Sequence, residues 1–403
     1  MKVGVYFPCF PKDSGGGHAF EWEMIQSLSR LASESRHELE VFFGKTEDFD
    51  IPAELTNAAI TTRVIEEPRH RLKIIRKVYQ RLRKELGMHP IVDPLSALQL
   101  VSQQEKIEFI WFATPIFVPV DIPYIATVWD IQHRLQPWFP EVSQNGQWEY
   151  REAYYSGYLQ RATYIITPNR AGRDELSLFY QLPLERFRLL PHPTPKIEHL
   201  PTEDEVERVL EKYQLSRGYL FYPAQFWAHK NHVNLLLALR ELKETYDQEK
   251  HLVLVGSDHG NLETVRGYTR ALGLEEQVHF LGFIPREDII ALYCGAFALT
   301  YVSLFGPENL PPLEAFKSGC PVIVAKVRGA QEQYGDSVLL VDGLLPEEIA
   351  WAVIRLEQES DLRHSLIEKG QQRADAYNGM DYVRDVLNIF DEFEKIRRNW
   401  GKA

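Results

Sequence analysis

Short apolar segments alternate along the whole chain with longer segments in which apolar residues recur at helical spacing. Runs such as Leu252–Val255 and Val322–Ala325 are apolar at every position, as expected of strands covered on both faces. The spacing of Phe20, Met24 and Leu28 instead indicates a helix that buries one face. This alternation predicts parallel sheets joined by right-handed crossovers. The predicted strands are Val3–Phe7, Leu39–Phe43, Phe109–Ala113, Tyr124–Trp129, Tyr164–Thr167, Arg188–Leu190, Tyr219–Tyr222, Leu252–Val255, Val278–Leu281, Ala298–Val302, Val322–Ala325 and Val338–Val341.

The alternation stops near residues 194–216 and restarts at Gly218, which indicates a domain boundary. Pro195, Pro201 and an acidic run fall in this interval. We therefore predict an α/β architecture of two doubly wound parallel sheets, over residues 1–195 and 196–380, followed by a last helix over residues 381–403. Ligands bind outside the carboxyl ends of the strands in such sheets, so two facing sheets predict a site in the cleft between them.

Composition narrows the class of protein. At about 150 residues per domain, a chain of 403 residues holds two to three domains. Apolar residues make up 44% and charged residues 25%, as in a soluble globular protein, and the net charge of −12 argues against a nucleic-acid partner. Three separated cysteines without a Cys-x-x-Cys motif fit a reducing cytosol. No stretch resembles a signal peptide or a membrane span, so we expect a cytoplasmic location.

The first strand leads into a glycine-rich loop, Gly15–Gly17, and then a helix. Glycines bring backbone N–H groups close to an anion, and a helix N-terminus adds positive potential, so the loop suits a phosphate. The dinucleotide fingerprint is incomplete because Phe20 stands at its third glycine position. A flexible strand-to-helix turn is the alternative interpretation.

Two further motif matches carry little weight. Gly44-Lys45-Thr46 resembles the end of a P-loop, but Leu39 occupies the position of the first glycine. Asp48-Phe49-Asp50 resembles a metal-binding pair, but together with Glu47 it is better explained as an ordinary solvated loop. We predict no metal site.

The second half offers more specific candidates. The strand ending at Tyr222 leads to Lys230, beside a helix start that Asn231 could cap. A cation at the carboxyl end of a strand is well placed for a diphosphate; a solvated lysine is the alternative. After a later strand, Asn309 could cap a helix that begins with prolines and carries Glu314 one turn inside. Carboxylates beside an anion site favour sugar hydroxyls, which points to a nucleotide sugar.

Taken together, these segments resemble the retaining glycosyltransferases of family 4, which have the two-Rossmann architecture called GT-B. The resemblance covers nearly the whole chain. Its carriers are Gly15–Gly17, Thr127–His133, Thr167–Asn169, Phe226–His232, Val255–Ser257, Phe280–Phe283, Pro311–Ala315 and Gly319–Val322.

The resemblance implies a donor site in the second domain and an acceptor side in the first. Lys230 would hold the diphosphate of a UDP- or GDP-sugar cosubstrate, and Glu314 the ribose. The amides of Gly16 and Gly17 would meet the distal phosphate. No cofactor and no metal are implied, and the last helix would cross back onto the first domain. The residues implied for the donor are Gly16, Gly17, Gln225, Lys230, Phe283, Ile284, Glu308, Asn309, Leu310 and Glu314.

Three departures from the family pattern bear on the site. Gln225 stands where the family usually has a phosphate-binding arginine, so one positive charge is missing. Trp129 replaces the histidine of the usual His-Asp pair. Gly306 occupies the position of the family's first glutamate, and we predict that Glu308 takes over its contact with the donor sugar. We expect Lys230, Glu308 and Asp130 to carry the chemistry. The acceptor-side residues are then His18, Trp129, Asp130 and His133.

Residues 69–84 contain eight Lys or Arg and no acid, with a 3-4 apolar stripe. This pattern predicts an amphipathic helix. Its basic face suits a weak peripheral contact with the inner face of an anionic membrane or with a lipid-diphosphate acceptor. The alternative is a helix that packs on the first sheet with a solvated basic face.

The leading interpretation is a retaining glycosyltransferase that moves a sugar from a nucleotide-diphosphate sugar to a glycan or lipid-linked glycan. A sugar-nucleotide epimerase of the same fold would need acid and base carboxylates around the sugar, and no clear extra pair is present. A degenerate GT-B protein that only binds nucleotide sugar or glycan stays open because of the three departures. An NAD-dependent oxidoreductase lacks its fingerprint.

Overall fold

Two parallel β-sheets, each flanked by helices, form the body of the protein. The structure, a computed structural model, describes residues 1–11, 15–44, 51–56, 58, 60–66 and 96–401. Within these residues, the first sheet has seven strands in the order β3-β2-β1-β4-β5-β6-β7, and the second has six in the order β10-β9-β8-β11-β12-β13. The first sheet is built from β1 (Lys2–Phe7), β2 (Glu38–Gly44), β3 (Thr61–Ile65), β4 (Phe109–Phe112), β5 (Tyr124–Thr127), β6 (Tyr164–Thr167) and β7 (Phe187–Leu189). The second is built from β8 (Leu220–Pro223), β9 (Leu252–Val255), β10 (Val278–Gly282), β11 (Ala298–Tyr301), β12 (Val322–Ala325) and β13 (Leu339–Val341).

Helices follow most of the strands. The α-helices around the first sheet are α1 (Gly16–Leu31), α2 (Ala53–Thr56), α3 (Ala97–Gln104), α4 (Gln132–Leu135), α5 (Pro140–Ser143), α6 (Gln147–Arg161) and α7 (Arg170–Tyr180). Those that come later in the chain are α8 (Glu203–Tyr213), α9 (His232–Tyr246), α10 (Leu262–Ala271), α11 (Arg286–Gly295), α12 (Leu310–Lys317), α13 (Ala330–Tyr334), α14 (Pro346–Gln358), α15 (Ser360–Asp375) and α16 (Gly379–Arg397).

The prediction of two doubly wound parallel sheets is confirmed, and each predicted strand is present with its ends shifted by at most two residues. Strand β3 was missed. Its segment is polar and mostly exposed, and as an edge strand it pairs only with β2, so it has no continuous apolar run. The strand at Tyr124 ends at Thr127, which leaves Trp129 in the loop beyond it.

Two helices link distant parts of the chain to these sheets. Helix α8 packs on α11, so the chain joins the second sheet's layer soon after the proline-rich interval. Helix α16 packs against α1, and Tyr382 lies edge-on to Phe20 with ring centroids 5.5 Å apart. The last helix thus contacts the layer of the first sheet, beside the glycine-rich loop.

Candidate functional site

A cavity of about 530 Å³ lies between the two sheets, at the carboxyl ends of their strands. In the first sheet the strand order reverses between β1 and β4, and in the second between β8 and β11. Loops that follow strands at such reversals diverge and leave a crevice, which is where open α/β sheets bind ligands. The chain's two crevices open into this one cavity.

The glycine-rich loop forms part of the wall contributed by the first sheet. Gly15 has φ of +63°, a conformation that glycine adopts without strain, and α1 begins directly after it. Gly16 and Gly17 therefore supply first-turn amides that have no partner within the helix. Gly15, Gly16 and Gly17 all line the cavity. This arrangement provides N–H donors and positive potential for an anion.

Glu21, which the sequence analysis did not single out, holds the backbone that precedes this loop. Its buried carboxylate accepts hydrogen bonds from the N–H groups of Cys9 (2.9 Å) and Phe10 (2.6 Å). Burial raises the pKa of Glu21 to about 7, although both N–H donors act in the opposite direction. One carboxyl group thus fixes the path of the chain as it leaves β1.

Lys230 lies in the loop after β8 and lines the cavity. Its Nζ donates to the hydroxyl of Tyr301 at 3.0 Å, and that hydroxyl donates to Oδ1 of Asn309 at 3.2 Å. The next residue, Asn231, precedes α9 but does not cap it with its side chain. Its amide instead donates to the carbonyls of Val302 (3.0 Å) and Gly343 (2.6 Å), which ties the lysine loop to the loops after β11 and β13.

Gln225 is at the cavity wall opposite the glycine-rich loop. A Cβ built on Gly15 would lie 3.7 Å from Nε2 of Gln225, so the loops from the two sheets are in near contact. Oε1 of Gln225 accepts from the indole N–H of Trp227 at 3.0 Å. Close packing here depends on Gly256, because a Cβ at that position would lie 2.4 Å from the carbonyl oxygen of Ala224.

Glu308 lines the cavity but is engaged elsewhere. Its side chain is only 2% exposed, and Oε2 accepts from the backbone N–H of His192 at 2.5 Å. Burial raises the pKa of Glu308 well above its ordinary value, although the His192 bond acts in the opposite direction. The carboxylate therefore anchors the segment after β7 as well as bordering the site.

The remaining predicted donor residues line the cavity, with the exception of Glu314. Phe283, Ile284, Asn309 and Leu310 line the cavity. Asn309 directly precedes α12, but its side chain does not cap the helix. The side chain instead accepts from the hydroxyl of Tyr301 and donates to the carbonyl of Gly306.

Glu314 does not reach the cavity. One turn inside α12, its buried carboxylate pairs with Arg286 at 3.1 Å and accepts from Tyr293 at 3.3 Å. Burial raises the pKa of this carboxyl, and Arg286 opposes the shift. The prediction that Glu314 meets the ribose is therefore not matched by its placement.

The predicted acceptor-side residues also separate. Trp129 and Asp130 line the cavity, and Asp130 accepts from the N–H of Gln132 at 2.9 Å. His133 is fully buried behind the wall and bonds to the hydroxyl of Tyr180 at 3.2 Å. Burial lowers the pKa of His133.

His18 stays outside the cavity too. Its Nδ1 bonds to the carbonyl of Phe10 at 3.0 Å, and its ring stacks on Trp22. His18 and His133 face their own domain because helical geometry turns them away from the cleft, which linear proximity to Gly17 and Asp130 did not reveal.

Direct hydrogen bonds join the two walls around the cavity. His229 donates its backbone N–H to Glu141 at 3.1 Å, and its Nδ1 bonds to the same carboxylate oxygen. Burial lowers the pKa of His229; for Glu141, burial acts upward but the His229 bonds outweigh it, and the pKa is lowered. Asn169 also donates to the carbonyl of Pro307 at 2.8 Å, and Gln136 to that of Leu304 at 3.0 Å.

Three acidic or basic cavity-lining residues were missed by sequence reasoning: Glu141, Arg151 and His192. All three come from the first domain or the segment after it and lie in no recognisable motif. The ring nitrogens of His192 are buried and have no hydrogen-bond partner among the described residues, and burial lowers the pKa of His192 to about 4. Only the isolated basic or acidic character of each residue in the sequence could have drawn attention to it.

Within residues 1–11, 15–44, 51–56, 58, 60–66 and 96–401, no group of three His, Cys, Asp or Glu side chains is close enough to hold an ion. Asp48 and Asp50, like the basic segment 69–84, lie outside the described residues. In the part of the chain that the structure describes, no helix combines the length and apolar character needed to cross a bilayer.

Comparison with known proteins adds to this geometry. Residues 205–373 match the family described as Glycosyl transferases group 1. The O-antigen chain mannosyltransferase B of Escherichia coli is 26% identical over 261 residues, which are 62% of this chain and 66% of that protein. The chain spans less than two thirds of the length of the curated relatives it matches first.

Solved structures align over almost the whole chain. Anabaena HepE, crystallised in complex with UDP and glucose, aligns with a TM-score of 0.70 at 15% identity, covering 97% of this chain and all of that one. The sucrose-phosphate synthase of Thermosynechococcus elongatus aligns with a TM-score of 0.71 at 16% identity, covering 98% and 100%. The chain has the GT-B fold. At this level of identity the structural likeness concerns the fold alone.

Proposed function

We propose that the protein is a retaining glycosyltransferase that moves a hexose from a nucleotide-diphosphate sugar to a glycan or lipid-linked glycan. The observation that carries the proposal is that Lys230, from the second sheet, and Gly16 and Gly17, from the first, line the same cavity. The family match over residues 205–373 and the mannosyltransferase relative support a transferase. The UDP and glucose bound in HepE support a nucleotide-sugar donor.

The proposed chemistry needs stabilisation of the departing diphosphate. Lys230 would carry a positive charge to it, held in place by Tyr301, and the glycine-loop amides would donate to its oxygens. Stabilisation of developing charge by preorganised donors is commonly the largest single contribution to such catalysis. The acceptor hydroxyl would approach from the side of Asp130, on the same face of the sugar that the diphosphate leaves.

Glu308 enters this proposal with two duties. Its carboxylate accepts from the backbone N–H of His192, and it also lines the cavity. We propose that it contacts sugar hydroxyls when the donor is bound. We also propose that no metal takes part, since lysine and backbone amides would supply the charge that a divalent ion supplies elsewhere.

The test is a two-stage assay on the full chain. A thermal-shift screen of UDP-, GDP- and ADP-sugars should identify one donor, because a ligand at 100 times its Kd stabilises the fold by about 2.7 kcal/mol. Transfer of that sugar, with and without EDTA, is then followed by NMR. We expect the anomeric configuration of the donor to be kept and EDTA to have no effect. Binding without any transfer or donor hydrolysis would favour the degenerate alternative, and interconversion of the sugar would favour an epimerase.

We also propose that residues 69–84 associate weakly with anionic membranes. The support is compositional: eight basic residues and no acid in a chain of net charge −12. Such a segment gains about 1 kcal/mol per basic residue near an anionic surface.

A further inference from the structure

Two cationic side chains line the cavity among the residues that the structure describes: Lys230 and Arg151. They come from opposite walls, Lys230 from the loop after β8 and Arg151 from helix α6. A nucleoside diphosphate carries more than one negative charge. In the wall from the second sheet, the neutral Gln225 stands where family 4 glycosyltransferases usually have an arginine. The cavity nevertheless contains an arginine, brought in from the other domain.

The surroundings of Arg151 leave its guanidinium available. Its side chain is 33% exposed, and its one ion-pair partner among the described residues is Asp130, with 3.7 Å between NH1 and Oδ1. That separation is too long for a hydrogen bond. A guanidinium offers five N–H donors in a planar fork that matches two phosphate oxygens.

The acidic side chains that line the cavity have other hydrogen-bond partners than Arg151. Glu141 is occupied by His229, and Glu308 is buried against the backbone of His192. Asp130 already accepts from the backbone N–H of Gln132. Arg151 therefore presents donors to the cavity, and its ion pair with Asp130 is too long to engage them in a hydrogen bond.

We propose that Arg151 binds phosphate oxygens of a substrate in the cleft, as a second cation facing Lys230. The inference rests on the proposed function for the identity of the substrates. The phosphate has two chemical sources, the diphosphate of the donor and a phosphate or diphosphate on the acceptor. Either source uses the same bidentate contact.

Helix α6 supplies a matched control. Arg161, at the other end of the same helix, pairs loosely with Asp121 at 3.5 Å and is 46% exposed, and it does not line the cavity. Arg151→Ala and Arg161→Ala therefore each remove an arginine side chain from the same helix. In both cases the lost partner is one loosely paired aspartate. Arg151→Lys keeps the charge but loses the fork, so it separates charge from geometry.

The experiment measures calorimetric Kd values for UDP, GDP and inorganic pyrophosphate, and KM for a polyprenyl-diphosphate-linked sugar and for the same sugar without phosphate. If the donor is the source, Arg151→Ala weakens nucleoside diphosphate and pyrophosphate binding about 10-fold or more. If the acceptor is the source, those Kd values stay unchanged, and KM rises only for the phosphate-bearing acceptor. Arg151→Lys should give an intermediate loss, and Arg161→Ala none.

The inference is overturned if Arg151→Ala equals Arg161→Ala in every Kd and KM, or if it lowers only kcat. A change in kcat alone would mean that Arg151 acts by orienting Asp130. Failure of the proposed function looks different: the wild-type chain would transfer no sugar from any donor, whereas pyrophosphate binding would still report on Arg151.

Discussion

The two walls of the cavity differ in how they are encoded. The wall from the second sheet consists of strand-end loops that are short and consecutive in sequence, such as the one that presents Lys230. Apart from the glycine-rich loop, the wall from the first sheet draws on Trp129, Glu141, Arg151 and His192, which are single residues from separate segments. The family match covers residues 205–373 and thus, of the two walls, only the one from the second sheet.

Removing the cation of the second-sheet wall should have the largest effect. Lys230→Ala should lower kcat/KM by about 100-fold or more, because a preorganised donor to developing charge typically contributes about 2.7–4 kcal/mol. Steady-state transfer rates measure this loss. Lys243→Ala is the control, since Lys243 pairs with Glu249 on the surface, away from the cavity. Near-normal turnover of Lys230→Ala would remove the lysine from the proposed site.

A stability measurement probes the other wall through Glu21. Its pKa is raised from 4.5 to about 7 in the folded protein, so the folded state binds the proton more tightly than the unfolded state does. The contribution of Glu21 to the free energy of unfolding is therefore greatest below pH 4.5 and falls as the pH rises to about 7, by about 3 kcal/mol at most.

Glu21→Gln cannot titrate and isolates this dependence. Denaturant unfolding of both proteins should show that the stability of the wild type relative to the variant declines between about pH 5 and pH 7. Since Gln offers only one acceptor oxygen for two N–H donors, the variant should also transfer sugar more slowly. A difference in stability that is flat with pH would contradict the assigned protonation of Glu21.

The bond between the two walls should matter to a smaller extent. Glu141→Gln should lower kcat/KM by up to about 10-fold, because a hydrogen bond to a charged group contributes about 1.5–3 kcal/mol before compensation by the remaining amide. A double-mutant cycle with His229→Gln should reveal coupling between the two residues.

A matched interdomain pair lies outside the cavity. Glu175 pairs with Arg328 at 3.1 Å, so Glu175→Gln removes a comparable contact between the same two domains. Its transfer rate should stay close to that of the wild type. Equal losses in Glu141→Gln and Glu175→Gln would mean that general domain contact, rather than the cavity wall, is at work.

The smallest effect is expected from the basic segment. Reversing four of the charges in residues 69–84 should weaken sedimentation with vesicles that contain anionic phospholipid, by about 1 kcal/mol for each residue that faces the surface. Transfer to a soluble acceptor should be unaffected. Unchanged vesicle binding would rule out this segment as the contact.

Many residues of the second-sheet wall could be predicted from the sequence for a physical reason. Parallel strands of one sheet end at the same edge, so residues that follow apolar runs of the second sheet, such as Lys230 and Asn309, had to lie at one edge. The missed strand β3 lacks an apolar run because it is a polar edge strand. The predictions of two sheets and a cleft needed only periodicity.

Side-chain direction was less accessible. Glu314 turns to Arg286 and His133 to Tyr180, which are contacts that depend on how helices pack and not on local spacing. Arg151 enters the cavity because α6 crosses its edge, twenty-one residues beyond Asp130 in sequence. Such tertiary placement carries no local signature, which is why the first-sheet wall had to be read from the structure.

The proposed function requires that a substrate diphosphate binds between Lys230 and the glycine-rich loop. A crystal structure of the full chain with the nucleoside diphosphate selected by the thermal-shift screen tests it most directly. We expect phosphate oxygens within hydrogen-bond distance of Nζ of Lys230 and of the amides of Gly16 and Gly17. A diphosphate bound elsewhere, with Lys230 still held only by Tyr301, would contradict it.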